Sequence, residues 1–193
     1  MSFAIVCEGR GDKKRLQEIF AFLEQEKLIE NDSLAQCTFY EMNGKSNLLN
    51  QDYKDYKTLK EDVHILNEFE KVFFLIDADS ETNDKKYGGF ANTQKALTQL
   101  IKDLGFEKIG DYFICCDPKI DEGYLESLLL STVSDDIKKC YKDFMDCAKL
   151  NTKENHKTTM EQLHRLTKPS KPYDFSHPNF KELNDKLIAL FMT

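Results

Sequence analysis

The chain has 193 residues, 32% charged and 40% hydrophobic, the composition of an ordinary globular protein with one sizeable core. Its 27 basic and 34 acidic side chains give a net charge of −7, so the field of the whole molecule does not attract nucleic acid, and a polyanion would need local basic patches or bound cations. Met1–Cys7 lacks the basic leader and length of a signal peptide, no run is long enough to span a membrane, and the six cysteines form no CxxC pair. These features point to a cytoplasmic protein with reduced thiols and argue against a zinc ribbon.

Phe3-Ala-Ile-Val-Cys7 reads as a first buried strand, ending at Glu8. Gly9-Arg10-Gly11-Asp12 is a turn, and a helix is expected from about Lys13, with Leu16, Ile19, Phe20 and Leu23 on its apolar side. Asp12 suits its N-cap, and the same carboxylate can also point back toward Glu8. A second strand is expected at Cys37–Met42. Gly44-Lys45-Ser46 resembles the end of a phosphate-binding loop, but the upstream glycine is missing, which argues against one. Asn47–Asn67 reads as helical, with Tyr53, Tyr56, Leu59, Val63 and Leu66 on one side.

Lys71–Asp77 carries the solid apolar run Val72-Phe-Phe-Leu-Ile76, the pattern of a strand buried on both faces of a parallel sheet. It stops at Asp77 and Asp79. The polar stretch Ser80–Gly89 follows as a loop at the same edge, and Asn92 opens a helix closed by Gly105. Tyr112–Cys116 is a fourth strand, stopped at Asp117-Pro118. The alternation β-α-β-α-β-α-β implies a mostly parallel four-stranded sheet flanked by helices, in an α/β domain covering 1–130. Helices are expected from Gly123, over Asp135–Leu150, around Thr158–Leu166 and over Asn179–Phe191. Residues 131–193 thus form a helical extension, with Lys168–Tyr173 as its proline-containing loop.

In such sheets ligands bind beyond the carboxyl ends of the strands, where Glu8, Asp77 and Asp79 fall and to which Asp12 can turn. Carboxylates gathered from distant segments repel unless a cation compensates, and all-oxygen ligation selects Mg²⁺ or Mn²⁺. Such an ion usually leaves coordination positions to water and phosphate oxygens, which points to phosphate-ester chemistry. Arg10, Lys85 and Lys86 are the nearest candidates for phosphate binding. A second basic stretch holds Lys149, Lys153, Lys157, Arg165, Lys168 and Lys171 against Glu154 and Glu161, a local excess of four positive charges, with His156 and His164 nearby. Glu126 is a further candidate ligand or an exposed helix residue, and Asp117 reads as a turn acid.

Ile5-Val-Cys-Glu8-Gly-Arg-Gly-Asp12 resembles the EG-x-x-D signature of Toprim domains, and Leu75-Ile-Asp77-Ala-Asp79 resembles their DxD. Gly123-Tyr-Leu-Glu126-Ser-Leu-Leu-Leu130 resembles the G-x-LE-x-LL element of small Toprim-like proteins of unknown function, related to the nuclease module of OLD-family (overcoming lysogenisation defect) endonucleases. The resemblance spans Phe3 to about Leu130. It implies Glu8 as metal ligand or general acid/base, Asp77 and Asp79 as principal ligands, Asp12 as a second-metal ligand and Glu126 as a weaker one. The activity implied is Mg²⁺-dependent cleavage of nucleic acid, DNA ahead of RNA.

The tyrosine-nucleophile, zinc-binding and ATPase modules of relatives are not found, which argues against a topoisomerase or a complete primase. It favours as the alternative a subunit working with a separate ATPase. A phosphoacceptor receiver fits poorly, because receivers place an acidic pair after strand one, where this chain has the single Glu8.

Overall fold

The computed structural model describes residues 2–150, 152–167 and 174–192. Four parallel strands, β1 (Phe3–Cys7), β2 (Cys37–Glu41), β3 (Lys71–Asp77) and β4 (Gly110–Cys115), pair in the order β2-β1-β3-β4. The helices are α1 (Arg10–Gln25), α2 (Lys45–Leu48), α3 (Lys54–His64), α4 (Phe90–Leu104), α5 (Leu125–Leu130), α6 (Asp135–Cys147), α7 (Lys153–Thr167) and α8 (Lys181–Phe191). This is the Rossmann-like α/β architecture expected from the strand pattern.

Alternation within the inner strands explains why they read as unbroken apolar runs. Ala4, Val6, Val72, Phe74 and Ile76 face α3 and α4, where Tyr56, Leu59, Leu97 and Leu104 complete one core. Ile5, Cys7, Phe73 and Leu75 face the opposite layer, where Leu16, Ile19 and Phe20 of α1 join Leu183, Leu187 and Leu190 of α8. The C-terminal helix thus shares the sheet's core. Lys71 ties it down by donating to the carbonyls of Ala189 (2.6 Å) and Met192 (2.8 Å). A smaller third cluster joins Tyr141 and Met145 of α6 to Met160 and Leu163 of α7.

Element ends differ from the expected ones where caps decide them. Helix α1 starts at Arg10 rather than near Lys13, because Gly9 is its N-cap and Asp12 sits at the third position, accepting the Gly9 N–H at 3.0 Å. The helix expected over Asn47–Asn67 is two, α2 and α3. Asn50 Oδ1 takes the Asp52 N–H at 3.1 Å and turns the chain between them, and Leu66 is left exposed. Helix α4 begins at Phe90, before Asn92, with Gly89 at φ +81° as N-cap. The expected loop Lys168–Tyr173 lies outside the described residues.

β1 connects outward to β2 on one side, while β3 connects to β4 on the other. The strand order therefore reverses between β1 and β3, which places the ligand crevice of this fold class beyond their carboxyl ends.

Candidate functional site

Glu8 immediately follows β1 and Asp77 ends β3, so the two meet at that reversal. The Asp77 N–H donates to Glu8 Oε1 at 2.8 Å, joining the two strand ends through a side chain. Asp77 is only 3% exposed. Its Oδ1 accepts the Leu125 N–H at 2.9 Å, at the first residue of α5, and its Oδ2 accepts from Lys157 Nζ of α7 at 2.8 Å. The loop from β4 to α5 is pinned here because Asp79 and Gly123 exchange backbone bonds, Asp79 N–H to Gly123 C=O at 2.7 Å and the reverse at 2.9 Å. That bridge brings Glu126 to the cluster, where Lys157 Nζ stands 3.8 Å from its Oε2 and lies 5.2 Å over the Tyr124 ring.

The electrostatics are those of crowded acids. Burial, and then the charge of Asp77, push the Glu8 carboxyl up to about 8, against the backbone hydrogen bond it accepts. Burial and Asp77 likewise raise Asp12 to about 7, with Lys157 opposing. Glu126 is raised by burial, again with Lys157 opposing. Burial works against the Lys157 charge, yet Asp77, Glu126 and Asp12 hold its ammonium above the ordinary lysine range. Asp77 and Glu126 thus flank the Lys157 ammonium and the charge of Asp12 also acts on it, while Glu8 is joined to the group through the Asp77 N–H.

Asp79 belongs to a neighbouring unit. Its Oδ2 lies 3.5 Å from Lys45 Nζ, although its charge still acts on Glu8. Lys45 is 7% exposed and donates to the Ala78 carbonyl (2.7 Å), the Tyr87 carbonyl (3.0 Å) and Thr93 Oγ1 (2.9 Å). It fastens the 80–89 loop to the end of β3, which is a structural role rather than that of a phosphate-loop lysine.

The structure brings together Glu8, Asp12, Asp77 and Glu126. Arg10, Lys85 and Lys86 stand exposed, without an ion pair to this cluster, and Lys86 lies 4.4 Å over the Tyr87 ring. Asp117 is a turn acid, accepting the Lys119 N–H at 2.9 Å. In the basic stretch, Lys168 and Lys171 fall outside the described residues, as do the side chains of Lys153 and His164. Lys157 turns inward to the acids, and Arg165 pairs with Glu161 at 2.7 Å. Sequence reading missed Lys45, whose one signal was Gly44-Lys45 directly after β2. It also missed Lys157 as the cation of the cluster, which nothing local to α7 marks out.

The donor set suits a hard divalent ion: every group is a carboxylate, and Glu126 Oε2 is buried with no hydrogen-bond partner. Among the described residues, however, no three such side chains stand already gathered to hold an ion. Lys157 takes one oxygen of Asp77, and backbone N–H groups take the other and one oxygen of Glu8. Other cavities lie away from these acids. One of about 540 Å³, lined by Phe3, Ile29, Ile188 and Phe191, carries no comparable gathering of acids.

Among the described residues no helix is long and apolar enough to cross a membrane, and all six cysteines are free thiols. No family model, curated protein or solved structure matches this chain.

Proposed function

We propose that this chain is a Toprim-like, Mg²⁺- or Mn²⁺-dependent protein that hydrolyses phosphodiester bonds in nucleic acid. The observation supporting this reading is the convergence of Glu8, Asp12, Asp77 and Glu126, from three separate segments, at the strand-order reversal, with the Lys157 ammonium between Asp77 and Glu126. Lys157 hydrogen-bonds Asp77, while burial disfavours the charged forms of Glu8, Asp12 and Glu126, a penalty that a divalent ion beside them would offset.

Asp77, Glu126 and Asp12 would hold the ion, with Glu8 beside them and Asp79 held back by Lys45. The bound ion would polarise the phosphate and supply an activated water. Glu8, half-buried and already inclined to keep a proton near neutral pH, exchanges that proton with the attacking or leaving oxygen. The exposed Arg10, Lys85 and Lys86 would meet the strand backbone at the rim.

The test is Mn²⁺ binding by calorimetry, together with cleavage of supercoiled plasmid and of single-stranded RNA, for wild type and Asp77→Asn. Binding and cleavage that are both lost in the variant support the reading. Absence of binding by the wild type overturns it. Binding without cleavage favours the second reading, a subunit inert until a separate ATPase engages it, for which the seated Lys157 already speaks.

A further inference from the structure

Helix α7 sends Lys157 into the acids from the far end of the chain, and the way α7 is held shows what that lysine can do. Two of its ion pairs run toward the α/β core, Lys157 to Asp77 at 2.8 Å and Glu161 to the buried Arg15 of α1 at 3.5 Å, while His156 Nδ1 meets the Tyr141 hydroxyl of α6 at 2.9 Å. Its apolar residues Met160 and Leu163 pack in the third cluster, with Leu130, Val133, Tyr141 and Met145, apart from the two clusters that sandwich the sheet. Withdrawing Lys157 therefore leaves both faces of the sheet covered. At 3.8 Å its ammonium balances the charge of Glu126 Oε2 without giving that buried oxygen a hydrogen bond. A lysine that satisfies only one of the two carboxylates it sits between is a replaceable cation.

We infer that Lys157 is a built-in competitor for the divalent-cation position: its ammonium occupies the place between Asp77 and Glu126, and the ion enters as the lysine leaves. This rests on the cation-site reading above. It explains why the acids are not already gathered around a point, since with Lys157 seated the resting protein has its cation from within. It also makes α7 the element that senses occupancy, because the side chain that must move belongs to it.

Two measurements test this on the full chain. Lys157→Met removes the competitor while keeping the length of the stem, and its Mn²⁺ affinity should exceed that of wild type by about ten-fold or more, as expected for removing one like charge beside the ion. In the wild type, saturating Mg²⁺ should raise acylation of the Lys157 amine, read by mass spectrometry. Labelling of Lys138, bound to Ser131 and Asp135, should stay unchanged. Unaltered Mn²⁺ affinity in Lys157→Met, or Lys157 labelling that saturating Mg²⁺ does not move, overturns the competition and leaves the cation site standing. Absence of Mn²⁺ binding by wild type and variant alike overturns the cation site and the competition with it. Should Lys157→Met fail to fold, the labelling of wild type decides.

Discussion

Glu8 and Asp12 show how gathering acids at one sheet edge costs a protein stability. Their folded values, about 8 and about 7, lie above the ordinary 4.5 and 3.8, so over the interval between, the folded protein keeps protons that the unfolded chain has released. A raised carboxyl value favours the folded state at low pH, and that advantage is lost as pH climbs through the folded values. The melting temperature should therefore fall between pH 5.5 and 8.5, by an amount equivalent to a few kcal/mol. Glu8→Gln keeps an acceptor for the Asp77 N–H and removes the charge, so it should flatten that fall and melt higher than wild type at pH 8.5 while losing cleavage. An equally steep fall in Glu8→Gln would show that the instability arises elsewhere. Lys45 presents the opposite case. Lys45→Met would remove the ammonium beside the 7%-exposed Asp79 together with its bonds to the Ala78 and Tyr87 carbonyls and to Thr93 Oγ1, and a loss of about 3–5 kcal/mol is expected, with faster amide exchange over residues 80–89. A loss below about 1 kcal/mol would mean that the ammonium does not fasten the loop.

The strands were legible because burial on both faces makes them unbroken apolar runs, as in Val72–Ile76, and the acids that stop them had to lie at one edge once the sheet was parallel. Helix starts were less legible. Gly9 and Gly89 act as N-caps with no side chain to advertise them, and the helix-like pattern from Asn47 concealed the turn at Asn50. Lys157 was legible as a charge but not as a site residue, since its position depends on how α7 packs against α5, a tertiary fact absent from local sequence. The turn before α5 bears instead on Glu126. Gly123 has φ +111°, and a Cβ there would press on the Ser127 hydroxyl, whose oxygen accepts the Tyr124 N–H at 3.1 Å. Gly123→Ala should thus cost about 1–3 kcal/mol and loosen the bridge to Asp79 that positions Glu126. Calorimetric unfolding with Mn²⁺ titration checks both, and a variant with native stability would show that the turn tolerates a side chain.

At the scale of the whole molecule, the C-terminal part divides by what it covers. Helices α6 and α7 form a third, smaller cluster, and α7 alone of the two reaches the site among the described residues, through Lys157, whereas α8 closes one face of the sheet. Phe180, Leu183, Leu187 and Leu190 are each at most 3% exposed, and Phe191 stacks edge-on against Phe3 at 5.1 Å and Phe20 at 5.9 Å. Burial at about 1.5–3 kcal/mol per large apolar side chain makes α8 worth as much as the usual net stability of a domain. A chain ending at Leu130 would retain every carboxylate of the candidate site, yet it would open the layer formed by Ile5, Phe73 and Leu75 to water. That fragment should bind a hydrophobic dye and melt without a cooperative transition, while the full chain melts sharply. A sharp transition in the fragment would show that α1 and α5 alone can cover the face, and that α8 is an accessory to a core complete by Leu130.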